Sequence, residues 1–438
     1  MNPIDLQSLL TDRGTVCPAC GKVHRAGLSR VIIERGAMKK IPEIISSYNA
    51  KRVFLLADPN TYAAAGEQVE RVLTEAGIDS TVYLLNSQKA EPDEHAVGSV
   101  VMHFDKTCDL ILGVGSGVIN DIGKIVANLT GLPYVIFGTA PSMDGYASAT
   151  SSVIRDGLKY SLPSVCPDTV VGDLDILCAA PMRMILAGLG DMLAKYVSLV
   201  EWQMAVIING EYYCQQVADL VREALEQCVA NLDGLTRRDP EAVRAVMNGM
   251  VLSGIAANYA GVSRPVSGME HYISHILDMR GVEFGTKTDL HGIQCGVGTL
   301  MALEMYEELK QVTPDREKAL AFVRDFDAEE WKRDLRRYLG GGAEAMIENE
   351  KKEGKYDPAK HAARLEIILS HWEELRALMD ALPSAKELAA KLAAIGMPTT
   401  LQELGLTDEE SAVAFRLSKN IRDKYVGTRL LWDLGLEK

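Results

Sequence analysis

The segment CDLILGVGSGVINDIGK, residues 108–124, contains the pattern that decides the fold. An apolar run typical of a buried strand leads through Gly113, Gly115 and Gly117 into a helical pattern. Glycines let the backbone approach a phosphate closely, and a helix start offers N–H groups and the positive end of the helix dipole. We therefore predict a strand, a dinucleotide-binding turn and a helix. A tight turn without a ligand remains the alternative, because the G-x-G-x-G spacing is not the usual fingerprint and the turn follows the third strand of its series.

Strand and helix patterns alternate on both sides of this segment. From about residue 50 to 175, short β-rich runs alternate with helical patterns. The turn-rich stretch that ends at Asp173 predicts a hairpin and one last strand. Alternation of this kind favours βαβ units and a parallel sheet. Beyond Asp173, apolar residues recur three and four apart, as in amphipathic helices. The polar stretch at 340–360, GGGAEAMIENEKKEGKYDPAK, is predicted to be an exposed connection between helices.

The chain length and this change of pattern predict two domains and a short extension. At 438 residues and 47% apolar content, the chain can form one large core or two smaller ones. We predict an N-terminal extension at 1–30, a Rossmann-like α/β domain at 31–175 and an all-α domain at 176–438.

Composition excludes several classes of partner. The formal net charge of −14 would repel nucleic acid or an anionic lipid surface, and no basic stripe offsets it. No apolar run is long enough to span a bilayer, and the start MNPIDLQSLL does not resemble a secretory signal. Eight widely spread cysteines favour reduced thiols over a disulfide framework. We therefore expect a cytoplasmic protein with no nucleic-acid partner and no membrane span.

Asp58, at the end of the run RVFLLAD, is a candidate for cofactor binding. A carboxylate at the end of a neighbouring strand can accept hydrogen bonds from an adenosine ribose and would repel a 2′-phosphate. This position favours NAD over NADP. Because Pro59 and Asn60 follow, Asp58 could instead cap the next helix.

Two histidines lie one helical turn apart in SGMEHYISHILD, residues 267–278. His271 and His275 would project from one helix face, but the glutamate of the H-E-x-x-H protease motif is missing. Asp191 in LAGLGDMLAKY and His291 in DLHGIQCGVGTL also lie in apolar surroundings, where a shared cation would satisfy them. One carboxylate and two imidazoles suit a divalent ion with open positions for substrate. The spacing does not decide between His271 and His275 as the ligand, and ordinary polar-face histidines remain the alternative.

The N-terminal sequence VCPACGKVH contains a second candidate metal site. Cys17, Cys20 and His24 have spacings that a zinc knuckle could use. Only three ligands are present, however, and the second C-x-x-C of a zinc ribbon is absent. A small reduced-thiol turn and an interaction module are the alternatives.

In order along the chain, these motifs resemble the iron-containing alcohol dehydrogenase and dehydroquinate synthase-like superfamily, and within it most closely the glycerol-1-phosphate dehydrogenase family of bacterial type. The resemblance covers about residues 25 to 435. Val114 and Met269 depart from the common family pattern, but neither is a proposed ligand. The segments that support the resemblance are GVGSGVINDIGK, TAPSMDGYAS, GLGDMLAKY, SRPVSGMEHYISH and LHGIQCGVG.

The resemblance implies a dehydroquinate synthase-like fold and assigns roles to the motif residues. It makes Asp191, His271 and His291 the ligands of one divalent metal, which could be zinc, nickel or iron. It places His275 and Asp144 at the substrate. Lys195 and Arg264 are our candidates for binding a substrate phosphate, with ion pairs as the alternative. The implied cofactor-binding residues, together with Asp58, are Gly115, Gly117, Asp121, Thr139, Ser142 and Ser148.

The implied reaction is NAD(P)H-dependent reduction of dihydroxyacetone phosphate to sn-glycerol 1-phosphate. NAD is the expected cofactor, with NADP possible. Glycerol dehydrogenase or another polyol dehydrogenase is the first alternative, and a non-catalytic metal- or nucleotide-binding protein is the second. A dehydroquinate synthase-like lyase is disfavoured, because the sequence offers no set of cationic residues for a carboxylated phosphate substrate. We also expect self-association, as in relatives.

Overall fold

The structure is a computed structural model that describes residues 5–10, 16–86, 90–155 and 158–437. Its contacts divide the chain into two compact units. Unit 1 comprises Met1–Met192 and Gln216–Val262, and unit 2 comprises Leu193–Gln215 and Ser263–Lys438.

In the part of the chain that the structure describes, the strands all lie before residue 174. They are β1 (Arg30–Glu34), β2 (Arg52–Ala57), β3 (Asp79–Leu84), β4 (Leu110–Gly115), β5 (Tyr134–Gly138), β6 (Thr150–Arg155), β7 (Leu158–Pro163) and β8 (Thr169–Asp173).

Helices occur in both units. They are α1 (Leu6–Leu9), α2 (Ile41–Ser47), α3 (Pro59–Thr61), α4 (Glu67–Glu75), α5 (Glu94–His103), α6 (Gly117–Thr130), α7 (Leu174–Ala179), α8 (Met182–Leu193), α9 (Lys195–Asn209), α10 (Gln215–Ala230), α11 (Leu232–Leu235), α12 (Pro240–Ala260), α13 (Met269–Phe284), α14 (His291–Leu309), α15 (Arg316–Arg324), α16 (Ala328–Leu339), α17 (Gly342–Glu353), α18 (Pro358–Ser370), α19 (Trp372–Asp380), α20 (Ala385–Ala394), α21 (Asp408–Leu417) and α22 (Gly427–Asp433). Short 3-10 turns at Ala37–Lys40, Gln402–Leu404 and Ser418–Asn420 and a π turn at Tyr62–Gly66 complete the list.

Unit 1 is built on a six-stranded parallel sheet with the order β1-β8-β5-β4-β2-β3. The last five residues of β2 and all of β4 and β5 are buried, as expected when helices cover both faces of a parallel sheet. The separate antiparallel hairpin β6-β7 and the final strand β8 confirm the prediction for the turn-rich stretch.

One face of this sheet packs on α2 and α4. Alternate residues of the central strands point to that face, as the two-residue period of a strand requires. These residues are Val53, Leu55, Ala57, Leu110, Leu112, Val114, Val135 and Phe137. They form one apolar cluster with the helix residues Ile41, Ile44, Ile45, Val69 and Leu73. This packing fixes the ends of β2 and β4, where the candidate cofactor residues lie.

Within the described residues, unit 2 contains helices and no strands. The helix pair α13 and α14 positions the candidate metal ligands. Most of the first half of α13 is buried, and α14 is buried on nearly all sides. The predicted change to helical structure coincides with the end of β8 at Asp173. The compact units follow a different boundary from the predicted domains, because 176–192 and 216–262 associate with unit 1.

The predicted exposed connection at 340–360 is wrong in one respect, because it contains helix α17. Its sequence is rich in good helix formers such as Ala, Glu and Lys, and buried Ala343 and Met346 anchor it. Gly354, with φ of 62°, ends the helix in the left-handed region. Across the described ranges, no helix is long and apolar enough to cross a membrane.

Gly123 in α6 should tolerate no side chain, because it packs against Tyr134. A Cβ at Gly123 would lie 2.4 Å from the buried Tyr134 hydroxyl oxygen. We expect Gly123→Ala to lower the free energy of unfolding by about 1–3 kcal/mol through overpacking. Urea denaturation would measure this change.

Gly98 in α5 is the matched control, since a Cβ there would meet no atom within 4 Å. Gly98→Ala should instead stabilise unit 1 by about 0.5–1 kcal/mol through helix propensity. Equal effects of the two substitutions would contradict the packing assigned to Gly123.

Candidate active site

The predicted cofactor residues of unit 1 lie where the strand order of the sheet reverses. From β2 the chain continues outward to β3, whereas β4, β5 and β8 lie on the other side of β2. Ligands bind in such sheets beyond the carboxyl ends of the strands at this reversal. Leu56 pairs with Gly113, so Asp58 and Gly115, each two residues farther along, end neighbouring strands.

The glycine-rich turn connects β4 directly to α6. Ser116 is the only residue between them, and α6 begins at Gly117 with the N–H groups of its first turn at the edge of the sheet. A Cβ at Gly113 would lie 2.6 Å from the Tyr134 hydroxyl, and one at Gly115 would lie 2.4 Å from Ile119. Close packing thus accounts for two of the glycines, while the helix start retains the features of an anion site.

Asp58 caps the helix that follows β2. Its Oδ1 accepts hydrogen bonds from the backbone N–H groups of Asn60 and Thr61, at 2.8 and 3.0 Å. In turn, the Asp58 N–H donates to the Thr61 hydroxyl oxygen, which completes a capping box. The capping alternative is therefore realised. Its position at the strand reversal is also the one that a ribose-binding carboxylate requires.

Behind the turn, Asp121 lies in a buried polar network that includes Lys124. The Lys124 ammonium group lies 2.9 Å from Asp121 Oδ1 and 3.3 Å from Ser148 Oγ, and no part of its side chain is exposed. It also donates to the carbonyl of Gly145. The network joins α6 to the loop after β5. Lys124 stands in the quoted glycine segment but received no role from the sequence.

The segment TAPSMDGYAS forms the loop after β5 and contacts both the glycine turn and α8. The Thr139 N–H donates to the Gly115 carbonyl at 3.0 Å. The Asp144 N–H donates to Asp191 Oδ2 at 2.8 Å, and Asp191 is fully buried. Ser142 is buried in the same loop. Unit 1 therefore brings together the predicted substrate residue Asp144 and the predicted ligand Asp191.

The three histidines predicted for the site cluster in unit 2. The ring centres of His271 and His291 are 5.1 Å apart, and His275 lies 5.6 Å from His291 and 6.4 Å from His271. His271 is buried, whereas His275 and His291 are partly exposed. Ligand atoms of His271, His291 and Cys295 lie within 4.8 Å of one another, close enough to share one metal ion.

Two of these rings, His271 and His291, form hydrogen bonds through Nδ1. His271 Nδ1 lies 2.9 Å from Glu270 Oε1, and His291 Nδ1 lies 2.8 Å from Ser274 Oγ. Metal-binding histidines are usually held in this way, with Nδ1–H donating to an oxygen and Nε2 coordinating. The donor set therefore suits a divalent cation.

Glu270 itself is part of a buried carboxylate pair. It accepts from the Gly268 N–H at 2.6 Å, while Glu201 accepts from Met269 N–H at 3.0 Å. Burial, and then the charge of Glu270, raise the pKa of Glu201 above the usual range of a carboxyl group.

Cys295 is a site residue that the sequence interpretation missed. It follows His291 by four residues on α14, and its Sγ lies 3.5 Å from His291 Nε2. Burial alone would raise the pKa of its thiol, but His271 and His291 together lower this pKa below the ordinary value. The H-x-x-x-C spacing in HGIQC is the signal that could have identified it.

The two candidate phosphate-binding residues have protein partners in unit 2. Arg264 is buried and forms a double ion pair with Glu211, with N···O distances of 2.7 and 2.5 Å, and donates to the Tyr425 carbonyl at 2.8 Å. Lys195 is fully buried and donates to the Val266 carbonyl at 2.8 Å. These contacts favour the ion-pair alternative for Arg264 and a structural contact for Lys195.

Comparison with known proteins places the chain among dehydrogenases. Residues 32–181 match the family model of iron-containing alcohol dehydrogenases. A glycerol-1-phosphate dehydrogenase (NAD(P)+) of Halalkalibacterium halodurans is 30% identical over 92% of each chain. A protein of the same name from Bacillus licheniformis is 28% identical over 95% of this chain and 92% of its own.

The fold is also that of a solved polyol dehydrogenase. The crystal structure of glycerol dehydrogenase from Schizosaccharomyces pombe matches with a TM-score of 0.61 and 17% identity, covering 93% of this chain and 88% of that one. The α/β unit and the helical unit thus have the fold of the dehydroquinate synthase-like superfamily. From the full-length match at 30% identity, the chain belongs to the glycerol-1-phosphate dehydrogenase family of iron-containing alcohol dehydrogenases.

Proposed function

We propose that the protein catalyses the NAD(P)H-dependent, metal-dependent reduction of dihydroxyacetone phosphate to sn-glycerol 1-phosphate, and the reverse reaction. The pair of imidazoles held by Nδ1, His271 with Glu270 and His291 with Ser274, is the observation that carries this proposal. It is the donor arrangement expected of a catalytic metal site in a dehydrogenase of this family.

The metal ligands in this proposal are Asp191, His271 and His291. Asp191 is the next-to-last residue of unit 1 before the chain enters unit 2 at Leu193, and its carboxylate is buried. One carboxylate and two imidazoles suit zinc, nickel or iron. A bound divalent cation would act as a Lewis acid on the substrate oxygen at C2. Cys295 lies close enough to tune the site.

In reduction, a bound nicotinamide would supply hydride to C2 of the substrate, and the C2 oxygen would need a proton. His275 is our candidate for delivering this proton, because it is partly exposed and its ring lies beside that of His291. Asp144 would hold a substrate hydroxyl, and its own backbone is fixed by Asp191. Holding the carbons on either side of C2 keeps that atom facing the hydride.

The cofactor would bind at the carboxyl edge of the unit 1 sheet. The pyrophosphate would lie at the start of α6, the ribose at Asp58 and the nicotinamide along the loop after β5. The residues proposed to contact it are Asp58, Gly115, Gly117, Asp121, Thr139, Ser142 and Ser148. Lys124 would position Asp121 and Ser148, because it contacts both.

Family membership, and not an available cationic side chain, is the main support for a phosphorylated substrate. Arg264 and Lys195 are committed to protein oxygens, so the preference for phosphate over a free polyol must be measured. Glycerol dehydrogenase is therefore the second candidate.

We also propose a cytoplasmic enzyme that forms homo-oligomers and has no nucleic-acid partner, consistent with its acidic charge.

Oxidation of NADH with dihydroxyacetone phosphate tests the proposed reaction. We expect kcat/KM for dihydroxyacetone phosphate to exceed that for dihydroxyacetone by at least about tenfold, because membership of the glycerol-1-phosphate dehydrogenase family favours the phosphorylated substrate. A preference for dihydroxyacetone would favour glycerol dehydrogenase. Absence of turnover with either after metal reconstitution would favour a non-catalytic protein.

Histidine substitutions should separate metal binding from proton transfer. We expect His271→Ala and His291→Ala to lose the active-site metal and to lower kcat/KM by at least about a hundredfold. His275→Asn should keep that metal but lower kcat by about 10²–10⁴ and alter its pH profile. Metal analysis and steady-state kinetics measure both effects.

Exposed His103 in α5 provides the control for these variants. His103→Ala should change neither metal content nor turnover. Loss of metal in His275→Asn, together with retention in His271→Ala, would exchange the roles that we assign to the two residues.

Asp58→Ser can separate capping from cofactor recognition, since serine also caps helices but has no charge. If Asp58 contacts the ribose, this substitution should reduce the preference for NADH over NADPH by about tenfold. The kcat/KM ratio for the two cofactors is the measurement. An unchanged ratio with unchanged stability would leave Asp58 with a capping role alone.

A further inference from the structure

The segment 16–24 folds into a small hairpin that resembles a zinc knuckle. Val16 and Val23 form an antiparallel bridge, and the Cys17 N–H donates to the Lys22 carbonyl at 2.8 Å. The Gly21 N–H donates back to the Cys17 carbonyl at 2.8 Å, which Gly21 achieves with φ of 73°. The turn therefore directs Cys17 and Cys20 toward the same point.

Three potential ligands meet at this hairpin. Ligand atoms of Cys17, Cys20 and His24 lie within 4.8 Å of one another. Cys20 Sγ and His24 Nε2 are 3.4 Å apart. Zn–S bonds of about 2.3 Å and Zn–N bonds of about 2.0–2.1 Å place the two ligand atoms of a tetrahedral site about 3.6 Å apart. The observed spacing agrees with that value.

The ring of His24 is oriented for coordination through Nε2. Its Nδ1 lies 2.8 Å from the Tyr259 carbonyl oxygen, an acceptor that requires the proton to be on Nδ1. The ring also stacks on the Tyr259 ring, with centroids 5.1 Å apart and an interplanar angle of 20°. Both contacts come from helix α12.

The covalent chain supplies a third cysteine. Cys17 Sγ donates to Gln216 Oε1 at 3.0 Å, so residue 216 lies beside the hairpin. Cys214 precedes it by two residues, which limits the separation of their Cα atoms to about 7 Å. Cys214 is a buried thiol. The third cysteine is distant in sequence from the first two, which is why VCPACGKVH alone suggests an incomplete site.

We propose that Cys17, Cys20, His24 and Cys214 bind a structural zinc ion, separate from the catalytic metal. Three thiolates and one imidazole form a closed, soft ligand set that leaves no position for substrate. Binding at such a site contributes to folding, because the ligands are far apart in the unfolded chain.

Metal analysis of the purified protein tests this proposal. Wild type should contain about two equivalents of metal, and Cys20→Ser and Cys214→Ser should each retain about one. Cys178→Ser, which removes a partly exposed cysteine elsewhere in unit 1, should match wild type. The His271→Ala variant should lose only the other equivalent, so a failure of the proposed catalytic site would be distinguishable.

Cobalt replacement provides a second measurement, and the spectrum of wild type does not depend on the folding of any variant. Co²⁺ bound to wild type should give a strong sulfur-to-cobalt charge-transfer band that survives Cys295→Ser, because three thiolates bind it at the knuckle. The band should disappear in Cys20→Ser. Its absence in wild type, or unchanged metal content in Cys20→Ser, would overturn the proposal. Loss in Cys20→Ser but not in Cys214→Ser would overturn the assignment of Cys214.

Discussion

The proposed metal site depends on the anchoring of two imidazoles through Nδ1. Glu270 holds His271 from the adjacent position on α13, and Ser274, one turn farther along, holds His291 of α14. A carboxylate oxygen accepts, so His271 donates from Nδ1 and has Nε2 as its coordinating atom, and the Ser274 hydroxyl can accept from His291 Nδ1 in the same way. The buried Glu201 lies near Glu270, and burial together with the charge of Glu270 raises the pKa of Glu201.

Helix α14 extends this hydrogen-bonded support beyond the proposed metal ligands. Gln294 donates to Ser274 Oγ at 3.0 Å and to Asp278 Oδ1 at 2.8 Å, so a line of hydrogen bonds runs from His291 into the α13–α14 contact. Such a network fixes ring orientation and adjusts basicity. Within unit 2, the two histidines of the H-x-x-x-H pair differ in their surroundings. His271 is buried and anchored by Glu270, while His275 is partly exposed and suited to proton exchange.

The sequence predicts the fold best where burial dictates composition. Strands β2, β4 and β5 are covered on both faces, so their apolar runs reveal them. Helix α17 escaped prediction because seven of its twelve residues are polar, and its buried side includes the charged Glu350 besides Ala343 and Met346. The pairing of Leu56 with Gly113, which aligns Asp58 with Gly115, is non-local and could not be predicted from either segment alone.

The candidate site shows the same division between local and non-local information. Motif order identified His271, His275 and His291, and the structure groups them in unit 2. The roles of Ser274 and Lys124 arise from contacts between elements and leave little trace in local sequence. Arg264 forms its ion pair with Glu211, which lies 53 residues away in the sequence, so the local sequence does not reveal this partner.

The most direct test of the central claim is a crystal structure of the zinc-loaded protein with anomalous scattering data. The account predicts an ion coordinated by Nε2 of His271, Nε2 of His291 and a carboxylate oxygen of Asp191, at Zn–N distances of about 2.0–2.1 Å. Coordination through Nδ1 of either ring, or no ion beside these two histidines, would contradict it.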